Sequence, residues 1–161
     1  MPAPASPFEP IPRYLSQPEV TRLFAVISDA RDRALFGLVY LYGLRVSEVG
    51  LLLRRDVDLD RGRITVKRVK RGYWSERPLF TAATDLLAAY LAPRYLLSDA
   101  PLFAGRDGAL KKRQIQTLFV RYREAAGLSP AVGCHSLRHS IATHLLDAGV
   151  ALEFVQDHLG H

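Results

Sequence analysis

The sequence predicts an α+β domain, mostly helical, with one small antiparallel sheet. Apolar residues recur at helical spacing through most of the chain. Past Arg54 the period shortens to strand alternation, with Ile64 and Val66 set against Thr65 and Lys67. A length of 161 residues with 48% apolar content is enough for one core.

The elements follow in order. Residues 1–13 hold five prolines and read as an extended arm or linker stump ahead of one domain over 14–161. Ser16 with Glu19 forms a capping box for a helix over 17–27 whose face is Val20, Leu23, Phe24 and Ile27. The segment 31–44 is apolar nearly all round, which predicts a buried central helix. It breaks at Gly43-Leu44-Arg45, and Ser47-Glu48 reads as the cap and first turn of a short helix to Leu52. Two extended runs follow, around Ile64–Val66 and over 75–80, with 70–74 as the hairpin tip. A helix over 84–97 is expected to bend or end near Pro93, and 101–108 reads as loop. Helices over 112–126, from about Ser136, and over 151–158 complete the chain.

Charge is clustered on this frame. Net charge is +6 and the pI near 9.8, a balance that favours a polyanionic partner. Residues 61–77 carry seven cations against Glu76, and 106–123 carry six against Asp107. Tyr73 and Trp74 stand among the first group, where aromatic rings can stack or wedge beside a sugar–phosphate backbone. One cysteine, Cys134, excludes an internal disulfide framework and suits a reducing cytosol. No run of apolar residues is long enough for a membrane helix, and the first residues lack a signal-peptide pattern. A cytoplasmic, nucleoid-associated protein is expected.

The chemistry concentrates near the C-terminus. His135 and Arg138, three apart, share one helix entrance and can seat an oxyanion. Arg45 follows the buried helix, with Glu48 placed to hold it; two guanidiniums can grip both non-bridging oxygens of one phosphodiester. Cys134, His135, His139 and His144 lack HExxH spacing and a second cysteine, so no metal is expected. His139, His144 and His158 read as packing or surface residues.

Four pieces stand in a fixed order: Gly43-Leu44-Arg45-Val46-Ser47-Glu48, a basic hairpin around Lys70, His135-Ser136-Leu137-Arg138-His139-Ser140, and Leu159-Gly160-His161. From about Leu15 onward the chain resembles the catalytic domain of the tyrosine recombinase (phage integrase) family, as in Xer-type recombinases and mobile-element integrases. The resemblance implies that family's catalytic-domain fold and a site of Arg45, Lys70, His135, Arg138 and His161. The arginines would bind the scissile phosphate, His135 and His161 would hydrogen-bond to it, and Lys70 would protonate the departing 5′-hydroxyl, with Lys67 the nearby alternative. Glu48 would support the arginines. Arg68, Arg71, Tyr73, Trp74, Lys111, Lys112 and Arg113 are the candidate duplex contacts.

The family pattern also implies a nucleophilic tyrosine about ten residues beyond the Leu-Gly-His box. All seven tyrosines here, Tyr14 to Tyr122, precede that box. The expectation is therefore a catalytic-domain fragment of a site-specific recombinase or integrase. Its parent would cut and rejoin duplex DNA through a 3′-phosphotyrosine without metal or cofactor, and the fragment alone would bind without cutting. A non-catalytic DNA-binding or regulatory protein with the same fold is the alternative. Double-stranded DNA is the expected partner, with further protomers joined by a C-terminal segment passed in trans.

Overall fold

The computed structural model describes residues 14–68 and 72–160, so the arm over 1–13, Lys70, Arg71 and His161 lie outside the described residues. Seven α-helices and two small antiparallel sheets make up the described fold. Helix α1, Gln17–Val26, starts at the anticipated capping box: Ser16 Oγ accepts from Glu19 N at 3.2 Å and Glu19 Oε1 accepts from Ser16 N at 2.9 Å.

Helix α2, Ala30–Tyr42, is the central element, packed against both α4, Thr81–Leu91, and α6, His135–Asp147. Ala34 to Val39 are buried as a continuous run, and each large apolar side chain there contributes about 1.5–3 kcal/mol relative to exposure. Asp29 caps it by accepting from Asp32 N at 3.0 Å. It stops at Gly43, whose φ of 59° is left-handed.

Several boundaries differ from expectation. Helix α3, Val46–Gly50, is capped at Arg45 rather than Ser47, because the Glu48 carboxylate accepts from Arg45 N at 2.8 Å. The main sheet has order β1-β2-β3, with β1 Val57–Asp58, β2 Arg63–Arg68 and β3 Tyr73–Pro78. Tyr73 and Trp74 are therefore strand residues opposite Arg68 and Lys67, not parts of the turn. Helix α4 begins three residues early, where the Phe80 backbone N–H donates to Tyr42 Oη at 3.0 Å, and it ends before Pro93.

The expected loop over 101–108 contains a Leu53–Pro101 bridge and much of a second hairpin, β4 Ala104–Gly105 with β5 Gly108–Ala109. Helices α5, Lys112–Ala125, and α7, Leu152–Leu159, match their expected places. Among the described residues no helix is long and apolar enough to cross a membrane.

Candidate functional site

The C-terminal ends of α2 and α7 meet, and the candidate residues gather around that junction. Arg45 follows the Gly43 turn. A Cβ at residue 43 would collide with Leu159 Cδ2, so only glycine admits both the left-handed turn and this approach of α7. Arg138, on the first turn of α6, has 5% of its surface exposed. Its guanidinium donates to the Gly43 carbonyl and, from Nη2, to the Leu159 carbonyl at 3.1 Å. One side chain thus ties α6 to the ends of both other helices, two residues from Arg45.

An open cleft of about 510 Å³ runs beside this junction. Arg45, Ser47, Lys112, Gln116, Cys134 and His135 are among its lining residues. The fold therefore brings Arg45 and His135, distant in sequence, onto one concavity and adds Lys112 from α5. Arg138 does not line the cleft, but its charge is felt there. Burial, then the nearby Arg45 and Arg68, pulls the pKa of its guanidinium down to about 10, while Glu48 counters the shift. It stays cationic at neutral pH, in a cluster that another positive charge makes less comfortable.

Glu48 is 1% exposed. Besides holding Arg45 N, its Oε1 accepts from Arg68 Nη1 at 3.3 Å. The expected support for the arginines thus reaches Arg45 through the backbone. Arg68 is a correction. Proposed from its place in a basic run as a duplex contact, it is instead 2% exposed, with Nη2 donating to Tyr42 O at 3.4 Å and His158 O at 2.7 Å. Strand alternation puts it on the inner face of β2 with Ile64 and Val66, and a charge count cannot register that.

Lys67, on the other face, has Nζ 3.9 Å from Asp56 Oδ2 and 4.8 Å from the Trp74 ring centre. Trp74 is 64% exposed and Tyr73 38%, both accessible to a ligand. Lys111, Lys112 and Arg113 are exposed at the start of α5. Three cations at the positive end of a helix macrodipole repel it, and an anion would relieve that repulsion.

Two histidine arrangements go beyond the packing or surface roles read from the sequence. His139 Nε2 lies 2.7 Å from His135 Nε2, so one imidazole donates and the other accepts. His144 Nε2 donates to Leu15 O at 2.9 Å while its Nδ1 meets Tyr40 Oη at 2.7 Å, which clips the start of the domain to α6. The first pair is one helical turn apart and its spacing was readable; the second spans most of the domain and was not. Cys134 is buried, and burial pushes its thiol up to about 12, so it is no nucleophile. Among the described residues no group of three or more His, Cys, Asp or Glu side chains is arranged to hold a metal. None of the seven tyrosines lines the cleft.

The profile described as the Phage integrase family matches residues 13–161. The tyrosine recombinase XerA of Thermococcus kodakarensis is 40% identical over 156 residues, covering 94% of this chain and 55% of that protein. The tyrosine recombinase XerC of Pelotomaculum thermopropionicum is 36% identical over 170 residues, covering 94% and 54%. The chain thus spans about half the length of the curated relatives it matches. The crystal structure of XerA recombinase superposes with a TM-score of 0.83 at 29% identity, covering 99% of this chain and 57% of that one. XerH bound to its difH substrate in a pre-cleavage complex gives 0.79 at 28% identity, covering 95% and 48%. With the match running over nearly all of its length and over every element that builds the cleft, the chain belongs to the phage integrase family of tyrosine recombinases.

Proposed function

We propose that the cleft binds a phosphodiester of duplex DNA as the catalytic centre of a site-specific recombinase. The observation that carries this is the convergence of Arg45, His135 and Lys112 on one cleft, with Arg138 buried against the turn that precedes Arg45. A phosphate there meets Arg45, fixed at its backbone by Glu48, near an Arg138 guanidinium held by the Gly43 and Leu159 carbonyls, so little reorganisation is needed as negative charge builds in the transition state. In this reading His135 hydrogen-bonds to the phosphate, His161 adds a donor after the α7 turn, and Lys70 protonates the 5′-oxygen leaving group. Lys67 is already engaged by Asp56 and Trp74, which favours Lys70 for that role.

Exposed Trp74, Tyr73, Lys111, Lys112 and Arg113, with Arg71, would follow the duplex backbone on either side. No tyrosine is among the residues lining the cleft, so in this reading the nucleophile that cuts the strand comes from outside them.

A second copy is the proposed protein partner. An apolar groove of about 320 Å³, lined by Leu41, Phe80, Ile141, Leu145, Phe154 and others, opens between α2, α6 and α7. It would accept an apolar segment passed in trans from a neighbouring protomer. A lambda integrase tetramer bound to a Holliday junction, 25% identical with a TM-score of 0.72, supports assembly with further protomers.

Fluorescence anisotropy with a labelled duplex tests the phosphate reading. Affinity should fall steeply and log-linearly with salt, and Arg45→Ala should weaken it and flatten the slope by about one. Affinity indifferent to salt would defeat the proposal.

A further inference from the structure

We propose that Ser47 is a further phosphate-binding residue of this cleft, its hydroxyl donating to a non-bridging oxygen of the same phosphodiester that Arg45 grips. The inference rests on the phosphate reading above. Read from the sequence, this serine caps α3. The fold withdraws that duty: the cap is Arg45, and the Glu48 carboxylate takes the Arg45 N–H at 2.8 Å. Ser47 is left in the first turn of α3 with its side chain exposed, between Val46 and Glu48, which are both buried. Among the described residues its Oγ has no hydrogen-bond partner.

Place and chemistry give the hydroxyl a use. Ser47 lines the cleft together with Arg45, Lys112 and His135. Inside a helix, residues i and i+2 turn away from each other. Arg45 is extended, with φ −75° and ψ 153°, and both side chains reach the one concavity. The backbone beneath them is fixed, because Glu48 N and Val49 N donate to Arg45 O at 2.9 and 3.1 Å and the Val49 side chain is buried. A donor held in place this way meets the ligand without rearrangement. A serine hydroxyl has one O–H that rotates to suit its acceptor, and a phosphate oxygen takes it in a charge-assisted bond. Being neutral, it adds no charge to a region where Arg45 already lowers the Arg138 pKa and a further cation would be repelled.

Fluorescence anisotropy with a labelled duplex reads this role as a pattern. Ser47→Ala should weaken binding about fivefold and leave the slope of log affinity against log salt unchanged, because a hydroxyl displaces no counterion. Arg45→Ala flattens that slope, which tells the two losses apart. Ser47→Thr keeps the hydroxyl and should stay within about twofold of wild type. In an Arg45→Ala background, Ser47→Ala should cost about half as much or less, since donors to one phosphate are coupled. Thermal melting of Ser47→Ala should be unchanged or slightly raised, alanine being the better helix former.

An unchanged Ser47→Ala affinity, a threonine variant as weak as alanine, or losses that simply add to those of Arg45→Ala would overturn the proposal. So would a lower melting temperature for Ser47→Ala, which would put the partner of the hydroxyl inside the fold. Wild-type protein that does not bind the duplex, or binds it without regard to salt, defeats the phosphate reading and this assignment with it. Salt-sensitive binding that is indifferent to Ser47 defeats the assignment of the serine alone.

Discussion

Arg138 carries two duties that lysine cannot share. Its fork reaches the carbonyls of Gly43 and Leu159, and its charge, with a pKa eased down to about 10 by burial and by Arg45, adds to the positive field that the proposed phosphate site requires. Arg138→Lys retains a cation but loses the bidentate geometry, leaving at least one of those carbonyls unsatisfied. Each hydrogen bond to a charged group is worth about 1.5–3 kcal/mol to the fold, and in the proposed phosphate reading the displaced cation should also weaken duplex binding. Thermal melting should show a parallel loss of stability. Full affinity in the lysine variant would mean that Arg138 serves packing and not the ligand.

Among the elements, α7 is held less by apolar burial than by a row of capped carbonyls. Its core contribution is Val155 and Leu159 packed on Ile141. Arg77 donates to Asp157 O at 2.7 Å, Arg68 to His158 O and Arg138 to Leu159 O, while His158 Nε2 donates to Leu41 O at 2.7 Å. Burial first, then Arg77 and Arg68, lowers the His158 pKa below its ordinary 6.5, with the Leu41 carbonyl and Asp157 opposing. The folded state therefore favours the neutral ring. Its stability contribution is complete above about pH 6.5 and is lost as pH falls through the lower folded value. Amide exchange over α7 should quicken as pH falls below about 6.5, and His158→Gln should remove that dependence. Exchange that is flat across this window, once corrected for the intrinsic effect of pH, would rule His158 out as the cause. At the other side of the junction, Gly43→Ala meets both a left-handed φ and Leu159. A loss of at least about 1–3 kcal/mol in denaturant unfolding is expected. A neutral substitution would show that the α2–α7 approach is looser than described.

For the molecule as a whole, the periodicities of α1, α2, α5 and α6, the Ser16 capping box and the ordered motifs were legible because they depend on neighbours along the chain. The start of α4 was not, since Tyr42 Oη supplies its first partner from across the fold. Nor was the hairpin over Ala104–Ala109, whose strands are too short to show alternation. The sequence by itself determined the fold class, the family and the kinds of residue that could grip a phosphate. Tertiary structure decided which cations face the cleft: Arg45 and Lys112 line it, while Arg68 is turned inward on Glu48. The physical reason is that charge is counted along the chain, but desolvation and pairing are fixed by which carbonyls and carboxylates folding brings within reach.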